Sequence, residues 1–129
     1  MNFKELKELN LSHTKISDIS VLEKVKFEKL EKLNLSSNEI SNNINILKGV
    51  NFKELKELNL FFNIISDISV LEKVKFEKLE KLNLRFNKIS NNINILKNVN
   101  CKELKELNLF KNKISDISVL EKEIGRAHV

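Results

Sequence analysis

The sequence predicts an α/β solenoid of five stacked coils, with a parallel β-sheet along one face and short helical or 3-10 turns along the other. Three observations predict it. Leu6, Leu30, Leu55, Leu79 and Leu104 open five copies of one pattern, at spacings of 24, 25, 24 and 25 residues. Within each copy two leucines stand two apart, as Leu9 and Leu11 do, which is the side-chain period of a strand. Further on, apolar residues recur every three, as Ile19, Leu22 and Val25 do, which is the period of a helical or 3-10 turn. A unit this short cannot bury its own leucines, whereas stacked units share a continuous core.

Each coil opens with its strand. Leu9 and Leu11 share one face, while Glu8, Asn10 and Ser12 take the other. The same reading places strands near Leu33, Leu58, Leu82 and Leu107. All five run the same way and are reached through crossovers, so they lie parallel. The chain leaves the strand at a column of Asn38, Asn63, Asn87 and Asn112, with Thr14 standing there in the first coil. A buried amide is costly unless paired. The column is therefore read as structural, bonding backbone groups that the bend frees. Helical turns are expected around 19–25, 44–50, 68–74 and 93–99, with Ser17 and Asp18 as start signals for the first. Phe27 then leads into the next coil.

Composition agrees with one packed domain and excludes several others. The 129 residues are 41% hydrophobic and 32% charged, enough apolar residue to bury and too much for a disordered polar tract. With no Pro, Trp or Tyr, two Gly and one Cys, the chain is no collagen, low-complexity linker or disulfide scaffold. No apolar run approaches the about 18 residues of a membrane span, and no leader resembles a signal peptide.

A net charge of +5 invites a nucleic-acid reading. The distribution argues against it, because the signs alternate. Odd coils read Lys-Glu-Leu-Lys-Glu-Leu and even coils Glu-Lys-Leu-Glu-Lys-Leu, a 49-residue double repeat from Phe3 to Asn51 and again from Phe52. Stacking sets equivalent positions about 4.8 Å apart. The columns then read Glu8, Lys32, Glu57, Lys81, Glu106 and Lys7, Glu31, Lys56, Glu80, Lys105. Every lateral neighbour is opposite in sign, and a slip of one coil creates repulsion. The alternation specifies register first.

The repeated Leu-x-x-Leu-x-Leu-x-x-Asn-x-Ile, as in Leu30, Leu33, Leu35, Asn38 and Ile40, resembles the leucine-rich repeat family from Phe3 to Lys122. The following Ile-Ser-Asp-Ile-x-x-Leu (Ile16 to Leu22, Ile65 to Leu71, Ile114 to Leu120) is similar to the subclass of internalins and leucine-rich phosphatase regulators. The coils here are longer than the about 22 residues usual there. The resemblance implies a leucine-rich-repeat solenoid whose concave face carries the sheet and is the usual ligand surface.

Five internal copies show which positions the scaffold leaves free. The residue after the third Leu is Ser12, Ser36, Phe61, Arg85 or Phe110, and the next is His13, Ser37, Phe62, Phe86 or Lys111. After the Asn column come Lys15, Glu39, Ile64, Lys88 and Lys113. Phe61, Phe62, Ile64, Arg85, Phe86 and Phe110 are thus the candidate partner-binding residues, an exposed apolar patch with an arginine inside it. The competing reading is drift in an AT-rich gene, or loop phenylalanines packing back onto the turn. Asn10, Asn34, Asn59, Asn83 and Asn108 also line this face and are read as a mutually bonded amide ladder.

Catalytic and metal chemistry find no candidates. His13 lies in a variable column, and His128 is the only other histidine. Cys101 takes the place of Phe27, Phe52 and Phe76 and reads as a small core substitute. No Cys/His spacing suits zinc. Asp18, Asp67 and Asp116 recur one per double repeat, too far apart for paired carboxylate work, and read as helix caps. No phosphate loop is present, so no enzyme and no cofactor is expected.

Arrays of this kind need polar caps, yet the repeat begins at Phe3 and breaks at Glu123 where Val is expected. Ile124 to Val129 is the peptide that ATC GGA AGA GCA CAC GTC encodes, one frame of a common sequencing adapter. Residues 1–122 are read as an uncapped array and 123–129 as a non-native tail, with Phe3, Leu6, Ile114, Ile117 and Leu120 exposed at the ends and self-association as the consequence. The functional expectation is a scaffold presenting its sheet to a protein partner. The alternative is a recognition arm of a larger regulator or enzyme, and nucleic-acid binding ranks third.

Overall fold

Strands of three residues cannot stand alone, but equivalents in register can support one another. A computed structural model describes residues 3–50, 52–74, 76–90 and 102–114, with the backbone of 127–128. Its strands are β1 (Glu8–Asn10), β2 (Lys32–Asn34), β3 (Glu57–Asn59), β4 (Lys81–Asn83), β5 (Glu106–Asn108) and β6 (Ala127–His128). They form one sheet in chain order, every neighbouring pair parallel. Leu9, Leu33, Leu58, Leu82 and Leu107 stand opposite one another across it.

The return runs through α1 (Val21–Lys24) in the first coil, and through 3-10 turns at Asn42–Gly49 and Ser69–Glu72 in the next two. In the second coil Ile44 and Leu47 are both fully buried. A 3-10 turn superposes residues three apart, and Asn42, Asn43 and Asn45 favour the α pitch too little to resist it. The turn expected at 93–99, with Cys101, Asp116, Ile117 and Leu120, lies outside the described residues.

Between sheet and turns the core is a stack of layers. Leu30, Leu33, Leu35 and Ile40, then Leu55, Leu58, Leu60 and Ile65, then Leu79, Leu82, Leu84 and Ile89, are each at most 3% exposed. Phe3, Phe27, Phe52 and Phe76 run alongside, with ring centroids 5.9, 6.3 and 6.2 Å apart. Burial thins in the first and fifth coils, where Phe3, Leu6, Leu9, Leu11, Ile16, Leu104 and Ile114 are only partly covered.

The buried Asn column ties coil to coil. Asn63 donates its amide N–H groups to the carbonyls of Leu60 in its own coil and Leu35 in the preceding one, both at 3.1 Å. Its Oδ1 accepts the N–H of Ile40 at 3.0 Å. Asn87 does the same with Leu84, Leu60 and Ile65, and Asn112 with Leu109, Leu84 and Ile89. Thr14 reproduces the bond to its own coil, its hydroxyl 2.7 Å from the Leu11 carbonyl. Among the described residues no buried side-chain nitrogen or oxygen lacks a partner.

Two expectations are corrected. The amides of Asn10, Asn34, Asn59, Asn83 and Asn108 form no ladder. Each Oδ1 accepts the backbone N–H two residues on in its own coil, at 2.9 to 3.0 Å. The bend after each strand brings that donor into direct reach. Asp18 and Asp67 are not helix caps either: they accept the N–H groups of Ser20 and Ser69 at 2.9 Å, and the N-cap position of α1 is Ser20, with no side-chain cap bond. They fix the bend before the turn. All five expected strands are present, and β6, within the segment 123–129, adds a sixth by pairing with β5. Pairing is made by main-chain groups, and the free edge of β5 offers a row of them to any extended segment.

The charge columns meet as expected. Lys32 Nζ lies 3.5 Å from carboxylates on both sides, Glu8 and Glu57, and Lys81 lies 3.8 Å from Glu106. Lys56 and Glu31 are 4.0 Å apart in the next column. A third column pairs Glu5 with Lys29 at 2.9 Å and Glu54 with Lys78 at 2.6 Å. The Lys29 and Lys78 ammoniums hold the Glu5 and Glu54 carboxyls below their ordinary value of 4.5. The Ser20 and Ser69 N–H bonds hold Asp18 and Asp67 below 3.8.

Replacing Asn63 by Ala leaves the buried Ile40 N–H unpaired and removes one of the two amide N–H groups that each of the Leu35 and Leu60 carbonyls accepts, and should cost about 3 kcal/mol. Asn59→Ala removes one half-exposed bond and should cost about 1 kcal/mol. Urea midpoints at unchanged slope compare the two, and equal losses would refute the division of labour. Stability should also depend on pH at both extremes. The depressed carboxyls contribute above their unfolded values and lose that contribution as pH falls through their lowered values, below 4.5 for Glu and 3.8 for Asp. Lys29, Lys32 and Lys78, raised above 10.5 by facing glutamates, contribute below 10.5 and lose it as pH climbs higher. Thermal melts should show salt flattening the alkaline arm more than the acid one, because the Asp bonds are local.

Candidate functional site

Where each strand ends, the backbone turns in the same way in every coil. His13, Ser37, Phe62, Phe86 and Lys111 have φ between 55 and 62°. This left-handed conformation costs a residue with a Cβ about 1–2 kcal/mol. It is held because the ladder continues through the bend. The N–H of Phe62 donates to the Arg85 carbonyl and that of Phe86 to the Phe110 carbonyl, both at 2.9 Å, and the buried Asn follows at once. Glycine or asparagine would occupy the turn at lower cost, yet the third and fourth coils place phenylalanine there.

The structure brings five of the six sequence-predicted residues together. Phe61, Arg85 and Phe110 stand on successive coils on the face opposite the leucines, beside Phe62 and Phe86 on the turn. The Phe62 and Phe86 rings are 5.2 Å apart, and Phe61 lies 6.1 and 6.3 Å from them. Arg85 Cζ sits 5.9 Å from the Phe61 ring and 5.5 Å from the Phe110 ring. Despite these contacts Phe62 is 53% exposed, Phe86 46% and Phe110 43%. Phe61 is half-buried beneath its neighbours. Ile64, 44% exposed, follows the buried Asn63, with its N–H bonded to the Ile40 carbonyl; it takes no part in the ring and cation contacts.

One residue belongs here that the candidate set left out. Lys111 Nζ lies 5.3 Å from the Phe110 ring centroid. It shares the column of Phe62 and Phe86, and that shared position beside an aromatic was the available signal. The competing reading, in which these rings pack back onto the turn, fits Phe61 in part and does not fit the open faces of Phe62, Phe86 and Phe110.

Next to the cluster lies the sheet's polar surface. A shallow depression of about 300 Å³ is lined by Glu57, Asn59, Lys81, Asn83, Glu106 and Asn108 across β3 to β5. The amides of Asn59, Asn83 and Asn108 hold the backbone of Phe61, Arg85 and Phe110 from this side. The site is thus an aromatic rim on a charge-alternating floor. Among the described residues no group of His, Cys, Asp or Glu is placed to hold a metal ion. No described helix is long and apolar enough to cross a membrane.

A family model described as leucine rich repeats (2 copies) matches residues 4–49 and 77–122. Two solved structures from Listeria monocytogenes are similar to the chain. An internalin (inlF) is 32% identical with a TM-score of 0.77, over 96% of this chain and 35% of that one. Internalin C2 (inlC2) is 31% identical with a TM-score of 0.77, over 96% of this chain and 51% of that one. The chain therefore spans about a third of one and half of the other. Among curated proteins nothing matches. Repeat model and internalin structures meet on the architecture traced coil by coil above: the fold is similar to that of the two internalins, and the chain belongs to the leucine-rich repeat family.

Proposed function

We propose that this array is a protein-binding scaffold whose contact centres on Phe61, Phe62, Arg85, Phe86 and Phe110 at the rim of the concave sheet. One observation carries the reading: rings that pack on one another and on an arginine stay 43 to 53% exposed on an otherwise polar surface. Large aromatics and arginine are the side chains on which protein interfaces concentrate their energy. The left-handed turn adds support, because phenylalanine stands where smaller residues fit the backbone better. Leucine-rich repeat domains are commonly interaction scaffolds, and the internalin-like fold is generally non-catalytic.

Five strands about 4.8 Å apart span only about 19 Å. The rings alone fall short of the about 800 Å² per partner that a stable interface buries, so the contact extends over the floor of β3 to β5. The second reading, a recognition arm of a larger regulator or enzyme, uses the same surface and differs only in what the rest of the protein does. Nucleic acid is disfavoured because the lysines Lys32, Lys56 and Lys81 are each paired with a carboxylate.

Phe62→Ala and Phe86→Ala should abolish capture of partners from extracts of the source cell while leaving the circular dichroism spectrum unchanged, since the column also holds Ser, His and Lys. Leu58→Ala, in the core, should instead cost about 2–5 kcal/mol and unfold the array. Retention of every partner by both phenylalanine variants would place the binding surface elsewhere.

A further inference from the structure

Charge along the turns is uneven in a way that the sheet's alternation does not explain. In the first two coils the segments 12–15 and 36–39 carry one cation, Lys15, and one anion, Glu39. In the next three coils the segments 61–64, 85–88 and 110–113 carry Arg85, Lys88, Lys111 and Lys113 and no acidic residue. Among the described residues none of these four cations enters an ion pair, whereas the sheet lysines Lys32, Lys56 and Lys81 do. Arg85 is flanked by the Phe61 and Phe110 rings, and Lys111 lies over Phe110. A guanidinium held by rings keeps N–H donors available along its edge, and that planar fork matches a carboxylate. Beside it the Phe62–Phe86 pair offers an exposed apolar shelf spanning two coils.

We propose that the rim of the third to fifth coils binds an extended acidic segment of a partner protein, with its carboxylates on Arg85 and Lys111 and an aliphatic or aromatic side chain on Phe62 and Phe86. The proposal rests on the reading that the phenylalanine cluster is the binding face, and adds the chemistry of what it takes. The cation surplus and the apolar shelf on the same three coils argue for a partner that is acidic and apolar together. A nucleic-acid strand fits less well. The Phe61, Phe62 and Phe86 rings are tilted or edge-on to one another at 50 to 83°, which leaves no row of parallel faces for bases. Glu57 and Glu106 on the adjoining floor would also face its phosphates.

The test is selection of a random dodecapeptide display library on the 129-residue chain, followed by affinity measurement with the enriched peptides as synthetic probes. Enriched sequences should combine Asp or Glu with Phe, Trp, Leu or Ile, and bind more weakly as salt rises. Arg85→Gln and Lys111→Gln should each weaken them about tenfold, Phe62→Ala should remove binding, and Lys15→Gln should change nothing. Circular dichroism confirms that each variant is folded. Neutral or basic peptides that still require Phe62 and Phe86 would overturn the acidic partner and leave the binding face standing. Peptides indifferent to Phe62→Ala and Phe86→Ala would overturn both. No enrichment would overturn the extended segment, and displacement of the probes by a thymidine oligonucleotide would overturn the peptide in favour of nucleic acid.

Discussion

One amide in every coil after the first, buried in the middle three, holds this molecule in register. Leucines supply most of the energy, at about 1.5–3 kcal/mol for each fully buried side chain, but a stack of leucines alone would tolerate sliding. The amides of Asn63, Asn87 and Asn112 do not, because each must find a carbonyl in its own coil and a carbonyl and an N–H in the preceding one. Desolvation makes a missed bond costly there. From that constraint follow the unslipped leucine columns of the sheet, the left-handed residue just before each Asn, and so the direction in which Phe62 and Phe86 leave the scaffold.

The surface charges act on the same register more weakly. Exposed pairs add little individually and are screened by salt. Their value lies in sign: Lys32 between Glu8 and Glu57 is attracted from both sides, and a slip of one coil would set like charges side by side instead. Buried amide and exposed charge thus answer different questions. The amide sets how neighbouring coils dock, and the charges set which coil sits beside which.

Much of this was legible in the residues because the geometry repeats. A period of two at Leu9 and Leu11 and a period of three at Ile19 and Leu22 admit few structures, and five copies remove the remaining freedom. The Asn column was legible for a related reason, since a polar residue kept in a buried column must be bonded. The phenylalanine rim appeared as departures within otherwise uniform columns. What was not legible depended on ångström-scale reach. Asn59 has Asn34 and Asn83 opposite it on the neighbouring strands and the Phe61 N–H two residues on, and only the bend decides for the Phe61 N–H. Lys111 looked like any variable surface lysine until its position over Phe110 was known. The same Ser-Val-Leu-Glu-Lys forms α1 in the first coil and a 3-10 turn in the third, a difference that local propensity does not encode, and β6 pairs through main-chain groups alone.

The alternation of coil types has a consequence for how such a gene can change. Removing one coil of 24 or 25 residues would preserve the leucines and the asparagines, and would bring two coils of the same type together, glutamate against glutamate and lysine against lysine. Removing or copying two coils, 49 residues, leaves every junction as it was. The array can therefore lengthen or shorten by recombination in steps of two coils without electrostatic penalty, while the aromatic and cationic positions on the rim, which take no part in the alternation, drift independently. Span and rim composition become separately heritable.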